Sequence, residues 1–295
     1  MKYPIAPLAL CVLSLLACQT PGPGPVDFVT EPTMTPVAPG QIDEASGMAD
    51  SRSMPGALWV QQDSGSPAEL TLLGHDGRVR GKISIPNATN RDWEDMTIGP
   101  GPQAGVTYLY IGEIGDNNAQ HGNYTIYRLP EPRNLTDVPG GVERINFRYP
   151  DGARDAETLL IDPQTKDLYI VSKREARVHL YRLPYPQSTT ETMTAEALGE
   201  LPFNGTQLAT MITGGTISSD GSEILLRSYL FVYYWSRGKG QSVADAMQRT
   251  TARELTNRIE PQSEAICFDR DNRGFFTLSE RANAPSVTLN YYGKR

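Results

Sequence analysis

Thiols, imidazoles and recognisable catalytic signatures are scarce in this chain of 295 residues, and each shortage narrows what it can be. There are three cysteines. Cys11 and Cys18 fall in an apolar opening segment, which leaves Cys267 alone in Ala265-Ile266-Cys267-Phe268, a core-like setting that excludes a disulfide framework. The three histidines, His75, His121 and His179, have no Glu or Cys partner at metal or triad spacing. HExxH, GxSxG and a phosphate-cradling glycine loop are all missing. Basic residues are outnumbered, 27 against 34 acids for a net charge of −7, so nucleic acid and anionic lipid are poor electrostatic partners. Long helical periodicity is absent too: beyond residue 40 only Gly240 to Glu254 reads as helix, and it reads as an insertion.

What is present begins with an address. Lys2 precedes an apolar stretch from Pro4 to Ala17, the charged start and short greasy core of a secretory signal, too short to span a bilayer as a mature helix. Leu15-Leu16-Ala17-Cys18 resembles the lipobox of bacterial lipoproteins, which implies cleavage before Cys18 and a membrane partner reached through its acyl chains. Gln19, where an aspartate would imply inner-membrane retention, resembles an outer-membrane signal, with the domain facing the periplasm or the cell surface. From Thr20 to about Gly40 the chain is rich in Pro, Gly, Thr and Val and reads as a semi-extended tether.

The rest is built from short apolar runs separated by Gly, Pro, Asn and Asp, and the runs recur as a unit. Copies open near residues 44, 94, 157, 215 and 264, at intervals of 50, 63, 58 and 49 residues. A repeating four-strand unit of this size is the pattern of a propeller blade, and a hidden sixth blade would need an interval of roughly 80 residues or more. The expected fold is all-β, a five-bladed β-propeller, with a six-bladed ring as the alternative if the tether holds a partial blade and a β-sandwich as the competing architecture. The last copy has three strands, so Val26 to Thr30 is the candidate for its outer strand.

One place in the repeat, two residues before the first core hydrophobe, holds Ser46, Glu94, Glu157, Gly215 and Glu264. In a closed ring these converge on one channel, where three carboxylates are costly to desolvate without a cation or donors. An oxygen-only set suits Ca²⁺. The alternative is that each glutamate caps backbone N–H groups of a neighbouring blade, with water filling the channel.

The opening motifs Glu44-Ala45-Ser46-Gly47, Asp92-Trp93-Glu94-Asp95 and Asp155-Ala156-Glu157, with Gly115-Asp116-Asn117, resemble bacterial propeller proteins grouped with the SdiA-regulated membrane-anchored proteins. The axial order Ser, Glu, Glu, small residue, Glu is also similar to the calcium-activated nucleotidases, or apyrases. That second resemblance implies a central structural calcium held by Ser46, Glu94, Glu157 and Glu264; Gly215 stands where that family has a serine, so its carbonyl, Thr213 or Thr216 would have to substitute.

Second-strand ends return to the face where inner strands begin, so Asp63, Glu113, Asp116, Asn117, Lys173, Arg174, Arg227 and Glu280 are expected to ring one mouth. Cations among acids there suit a small anionic or sugar-phosphate ligand; the plainer reading is a salt-bridged, solvated rim. With no nucleophile or general base evident, the expected role is a ligand-binding or protein-interaction module of the envelope. The alternative is a calcium-dependent phosphohydrolase in which Lys173, Arg174 and Arg227 neutralise charge and Asp63, Asp116 or Glu280 moves protons.

Overall fold

The computed structural model describes residues 26–136 and 140–295. The expected cleavage and lipidation site at Cys18 lies outside the described residues. No helix among the described residues is long and apolar enough to cross a membrane.

A short strand, β1 (Thr33–Pro36), precedes blade 1, which is β2 (Ala45–Asp50), β3 (Ala57–Gln62), β4 (Glu69–Gly74) and β5 (Val79–Ser84). Blade 2 is β6 (Trp93–Pro100), β7 (Thr107–Glu113), β8 (Tyr124–Pro130) and β9 (Glu143–Arg148). Blade 3 starts with β10 (Ala156–Ile161), β11 (Leu168–Ser172) and β12 (His179–Leu183). Its loop then adds β13 (Met193–Thr194) in parallel to β9 of blade 2, before the outer strand β14 (Glu196–Glu200). After one helical turn, α1 (Gln207–Thr210), blade 4 runs β15 (Ile212–Ile217), β16 (Glu223–Ser228) and β17 (Val232–Ser236), then α2 (Val243–Arg249) and β18 (Arg253–Leu255). Blade 5 is β19 (Gln262–Phe268), β20 (Gly274–Glu280) and β21 (Thr288–Gly293), completed by β1.

The five inner strands β2, β6, β10, β15 and β19 pack side by side in that order and β19 returns to β2, so the ring closes with five blades. Each of the five apolar clusters fills one interface between neighbouring blades: Trp59 and Leu72 against Met96 and Ile111 between blades 1 and 2, and Met48 and Leu58 against Cys267 and Phe276 between blades 5 and 1. Burial falls from axis to rim. Every residue of β2, β10 and β15 is buried, whereas outer strands such as β14 are open. A blade is covered on both faces near the axis, and this selects the small and apolar inner runs that made the repeat visible.

The closing strand is not where the sequence suggested. β1 pairs antiparallel with β21, Thr33 opposite Tyr291 and Pro36 opposite Thr288, so the expected tether contains a strand. Val26 to Thr30 contributes a single bridge, Phe28 with Lys294. The Phe28 ring is worth more inside the interface of blades 4 and 5, where it lies 5.8 Å from Tyr234 and 5.1 Å from Phe275. Thr33–Pro36 suits an outer edge because Pro36 has no N–H to leave unpaired there.

The helical insertion is also shorter than its composition implied. Ser242 caps α2 by accepting from the Asp245 N–H at 3.0 Å, and Val243, Ala246 and Met247 pack inward. The β-branched pair Thr250-Thr251 ends it, and Arg253–Leu255 becomes the outer strand of blade 4.

Candidate functional site

All five inner strands carry a bulge at the same place. Pairing skips one residue between Ala45 and Gly47, Trp93 and Asp95, Ala156 and Thr158, Ile212 and Gly214, and Ser263 and Ala265. The bulged residues are therefore Ser46, Glu94, Glu157, Thr213 and Glu264. A bulge frees a side chain from the alternation of the strand and re-aims it. In blade 4 the equivalent residue is Thr213, and not Gly215 as the spacing suggested, because the run Thr213-Gly214-Gly215-Thr216 offers several registers and only strand pairing fixes one.

Blades 1 and 4 use their hydroxyls alike. Ser46 Oγ donates to the Glu94 carbonyl and lies 3.4 Å from its Oε2, while Thr213 Oγ1 donates to the Ser263 carbonyl at 2.7 Å. In both blades glycine follows the bulge, and a Cβ on Gly47 would sit 2.5 Å from the Met96 nitrogen, one on Gly214 2.6 Å from the Glu264 carbonyl oxygen. The small pair, hydroxyl then glycine, lets one inner strand press against the next. Asp95, the next residue of blade 2, cross-links the inner strands. Its buried carboxylate accepts from Met96 N at 2.8 Å, Leu159 N at 2.9 Å and Gly215 N at 3.3 Å, tying blades 2, 3 and 4 together.

One residue past each second-strand partner of the pre-bulge residue come Asp63, Ile114, Lys173, Tyr229 and Glu280. Lys173 pairs with Glu157 and lies 5.1 Å from the Tyr229 ring centroid. Gln262 donates to Glu264 at 3.1 Å and also to Glu280. Carboxylate oxygens of Asp63, Asp92 and Glu94 all lie within 4.8 Å of one another.

The electrostatics are those of an under-compensated acidic funnel. Burial, then the charges of Glu157, Asp63, Glu264 and Asp92, pushes the Glu94 carboxyl well above its usual range. Glu157 is also raised, by burial against the pull of Lys173. Glu264 is raised by burial and by Glu280. Burial also raises Asp63, brings Asp92 to about 6 with help from Asp63 and Asp155, and brings Glu280 to about 7. Glu157 Oε2 and Glu264 Oε2 are sealed from solvent and have no hydrogen-bond partner. Unpaired oxygens on acids this deeply buried are costly unless protonated or met by a cation. The donor set is oxygen only, the chemistry that fits Ca²⁺.

The expected mouth resolves into two groups. Asp63, Lys173 and Glu280 line the funnel, and exposed Arg174 stands beside it, paired with Asp155 and Asn117. The others are structural. Arg227 is fully buried between blades 4 and 5, donating to the carbonyls of Ala265 at 2.8 Å and Leu278 at 3.1 Å beside Glu260. Asp116 staples its own loop, accepting from Gln120 N, His121 N and the Tyr124 hydroxyl; these donors outweigh burial and hold its carboxyl below the usual range. Glu113 accepts from the Tyr127 hydroxyl at 3.1 Å, with Arg91 3.9 Å away. Asp92, Asp155 and Tyr229 are funnel residues that sequence reasoning missed, although Asp92 and Asp155 stand in the opening motifs.

No family model matches the chain, and no curated protein matches it. Among solved structures it is similar to a luciferin-regenerating enzyme, with a TM-score of 0.46 and 14% identity over 85% of this chain and 78% of that one. It is also similar to hydrazine synthase from Kuenenia stuttgartiensis, with a TM-score of 0.45 and 11% identity over 85% of this chain and 96% of that one. At such scores the likeness carries no argument about the site.

Proposed function

We propose that this protein is an envelope-anchored binding propeller that holds a calcium ion at the mouth of its channel and takes an anionic ligand there, either a small molecule or an acidic patch of an envelope protein. The observation that carries the reading is the convergence of Asp63, Asp92 and Glu94 within 4.8 Å, together with the unpartnered buried oxygens of Glu157 and Glu264, whose charges act on Glu94. Glu94 and Glu264, with the Ser46 hydroxyl, also belong to this oxygen set. The bound ion would neutralise acids that otherwise hold protons, and would add a positive point to the funnel. Lys173 and Arg174 supply the remaining positive charge, Lys173 as a fixed ammonium and Arg174 as a fork held by Asp155 and Asn117. The anchor is Cys18, on the strength of Leu15-Leu16-Ala17-Cys18.

A second reading, calcium-dependent phosphoester hydrolysis, is favoured by Glu280, a funnel carboxyl outside the Asp63–Asp92–Glu94 cluster that burial raises to about 7, a range suited to general acid–base work. In that reading Lys173 and Arg174 carry the charge neutralisation; Arg227 and Asp116 have no part in it.

Metal analysis of the purified domain, with melting temperature before and after chelation, tests the shared premise. One equivalent of calcium and a clear loss of stability on chelation support it, and a metal-free domain indifferent to chelator and to added calcium removes both readings. Phosphate release from nucleotides and sugar phosphates, abolished in Arg174→Ala, selects the second reading over the first.

A further inference from the structure

We propose that a second ligand site lies on the face opposite the mouth, in the cleft where blade 5 meets blade 1, and that it takes a small organic anion with a flat apolar body. The cleft encloses about 480 Å³, inside the range of roughly 300–1,000 Å³ usual for small-molecule sites. Its wall is aromatic. The rings of Phe276 and Tyr291 lie 4.7 Å apart, and the imidazole of His75 lies 4.5 Å from Phe276.

These groups are held in place before any ligand arrives. His75 Nε2 lies 2.8 Å from Oδ1 of the buried Asp50, whose Oδ2 accepts from the Arg270 N–H at 2.8 Å. The Tyr291 hydroxyl donates to Asp269 Oδ2 at 2.6 Å, and Asp269 Oδ1 accepts from Asp271 N at 3.0 Å and Arg273 N at 2.8 Å. Asp50 and Asp269 are thus committed to the framework of the cleft, and Asp271 is the third acid of its lining.

The Arg270 side chain is what points to a ligand. The side chain is about a third exposed (32%), its Nη1 has no hydrogen-bond partner, and the acid beside it is Asp271, 3.8 Å from Nε. A guanidinium that reaches the lip of an aromatic cleft without a close acid partner presents its planar fork of donors to a carboxylate or phosphate. Arg273 adds a second, exposed guanidinium at the same cleft. The anion would lie at Arg270 with its apolar body against Phe276 and His75. Nothing in this arrangement depends on the funnel or on calcium.

The test is a titration of the whole domain with benzoate, phenyl phosphate and neutral benzyl alcohol, read from the ring resonances of the three histidines. The expected result is a saturable shift of His75, with His121 and His179 unmoved, for at least one anion, and affinity falling about tenfold or more in Arg270→Gln. The better anion names the headgroup. Arg270→Gln keeps the backbone N–H that Asp50 uses, and the resonances of His121 and His179 report an intact fold; Arg273→Gln, at an exposed position, is the second variant and weakens binding severalfold. The proposal is overturned by the absence of a saturable His75 shift up to about 20 mM of either anion, by benzyl alcohol binding as well as the anions, or by both variants binding like the wild type.

Discussion

Arg227 Nη2 lies 2.7 Å from Oε1 of Glu260, and both side chains are buried between blades 4 and 5. Glu260 also accepts from the Thr277 hydroxyl at 2.6 Å. Removing one member strands the other as a buried charge. Arg227→Met is therefore expected to cost about 3–5 kcal/mol of stability, measured by denaturant unfolding, while calcium still raises the melting temperature of the variant. A near-neutral variant that loses its calcium response would return Arg227 to the mouth.

Asp92 was legible only as part of a motif, yet its carboxylate lies with those of Asp63 and Glu94. Asp92→Asn and Glu94→Gln are expected to weaken calcium binding by about tenfold or more each, by titration calorimetry. Without calcium the same variants are expected to be no less stable than wild type, because each relieves repulsion among buried acids. Retention of wild-type affinity in both would move the ion elsewhere.

The funnel acids set a pH dependence whose sign can be worked out. Asp92 at about 6 and Glu280 at about 7 are raised first of all by burial, whereas unfolded carboxyls titrate near about 4. Between those values the folded chain holds more protons than the unfolded one, so these groups' contribution to stability is lost as pH rises through the folded pKa values. The chelated domain should lose several degrees of melting temperature between about pH 5 and about pH 8, and saturating calcium should flatten that slope. A chelated domain that gains stability over this range would mean that donors already compensate the acids.

Deleting residues up to Pro36 removes β1 and bares the edge of β21. The shortened domain is expected to associate through that edge, visible as a larger species in size-exclusion chromatography than the domain that begins at Val26.

The blade repeat was readable because inner strands are buried on both faces, which forces small and apolar residues into the same slots around Ser46, Glu94, Glu157 and Glu264. Blade 4 was misread by two residues because a glycine pair between two threonines, Thr213 and Thr216, removes the hydrophobic landmark that fixes register elsewhere. Arg227 looked like a rim cation because charge at a strand end usually is; its partner Glu260 lies on a separate segment, and sequence spacing carries no trace of that pairing. Phe28 and Thr33–Pro36 exchanged roles for a similar reason, since apolarity alone does not say whether a residue joins a sheet edge or fills the gap between two sheets.

The clasp between β1 and β21 makes the first and last strands of the ring interdependent in time as well as in space. Thr33 cannot meet Tyr291 until all the strands between them have been made, and contacts between such distant segments are slow to form. Until then blade 5 is a three-stranded sheet with a bare flank, and the cluster joining it to blade 1 is unassembled. The channel is bounded on all sides only when the fifth blade is in place beside the first, so whatever it binds rewards the closed ring and not a partial one.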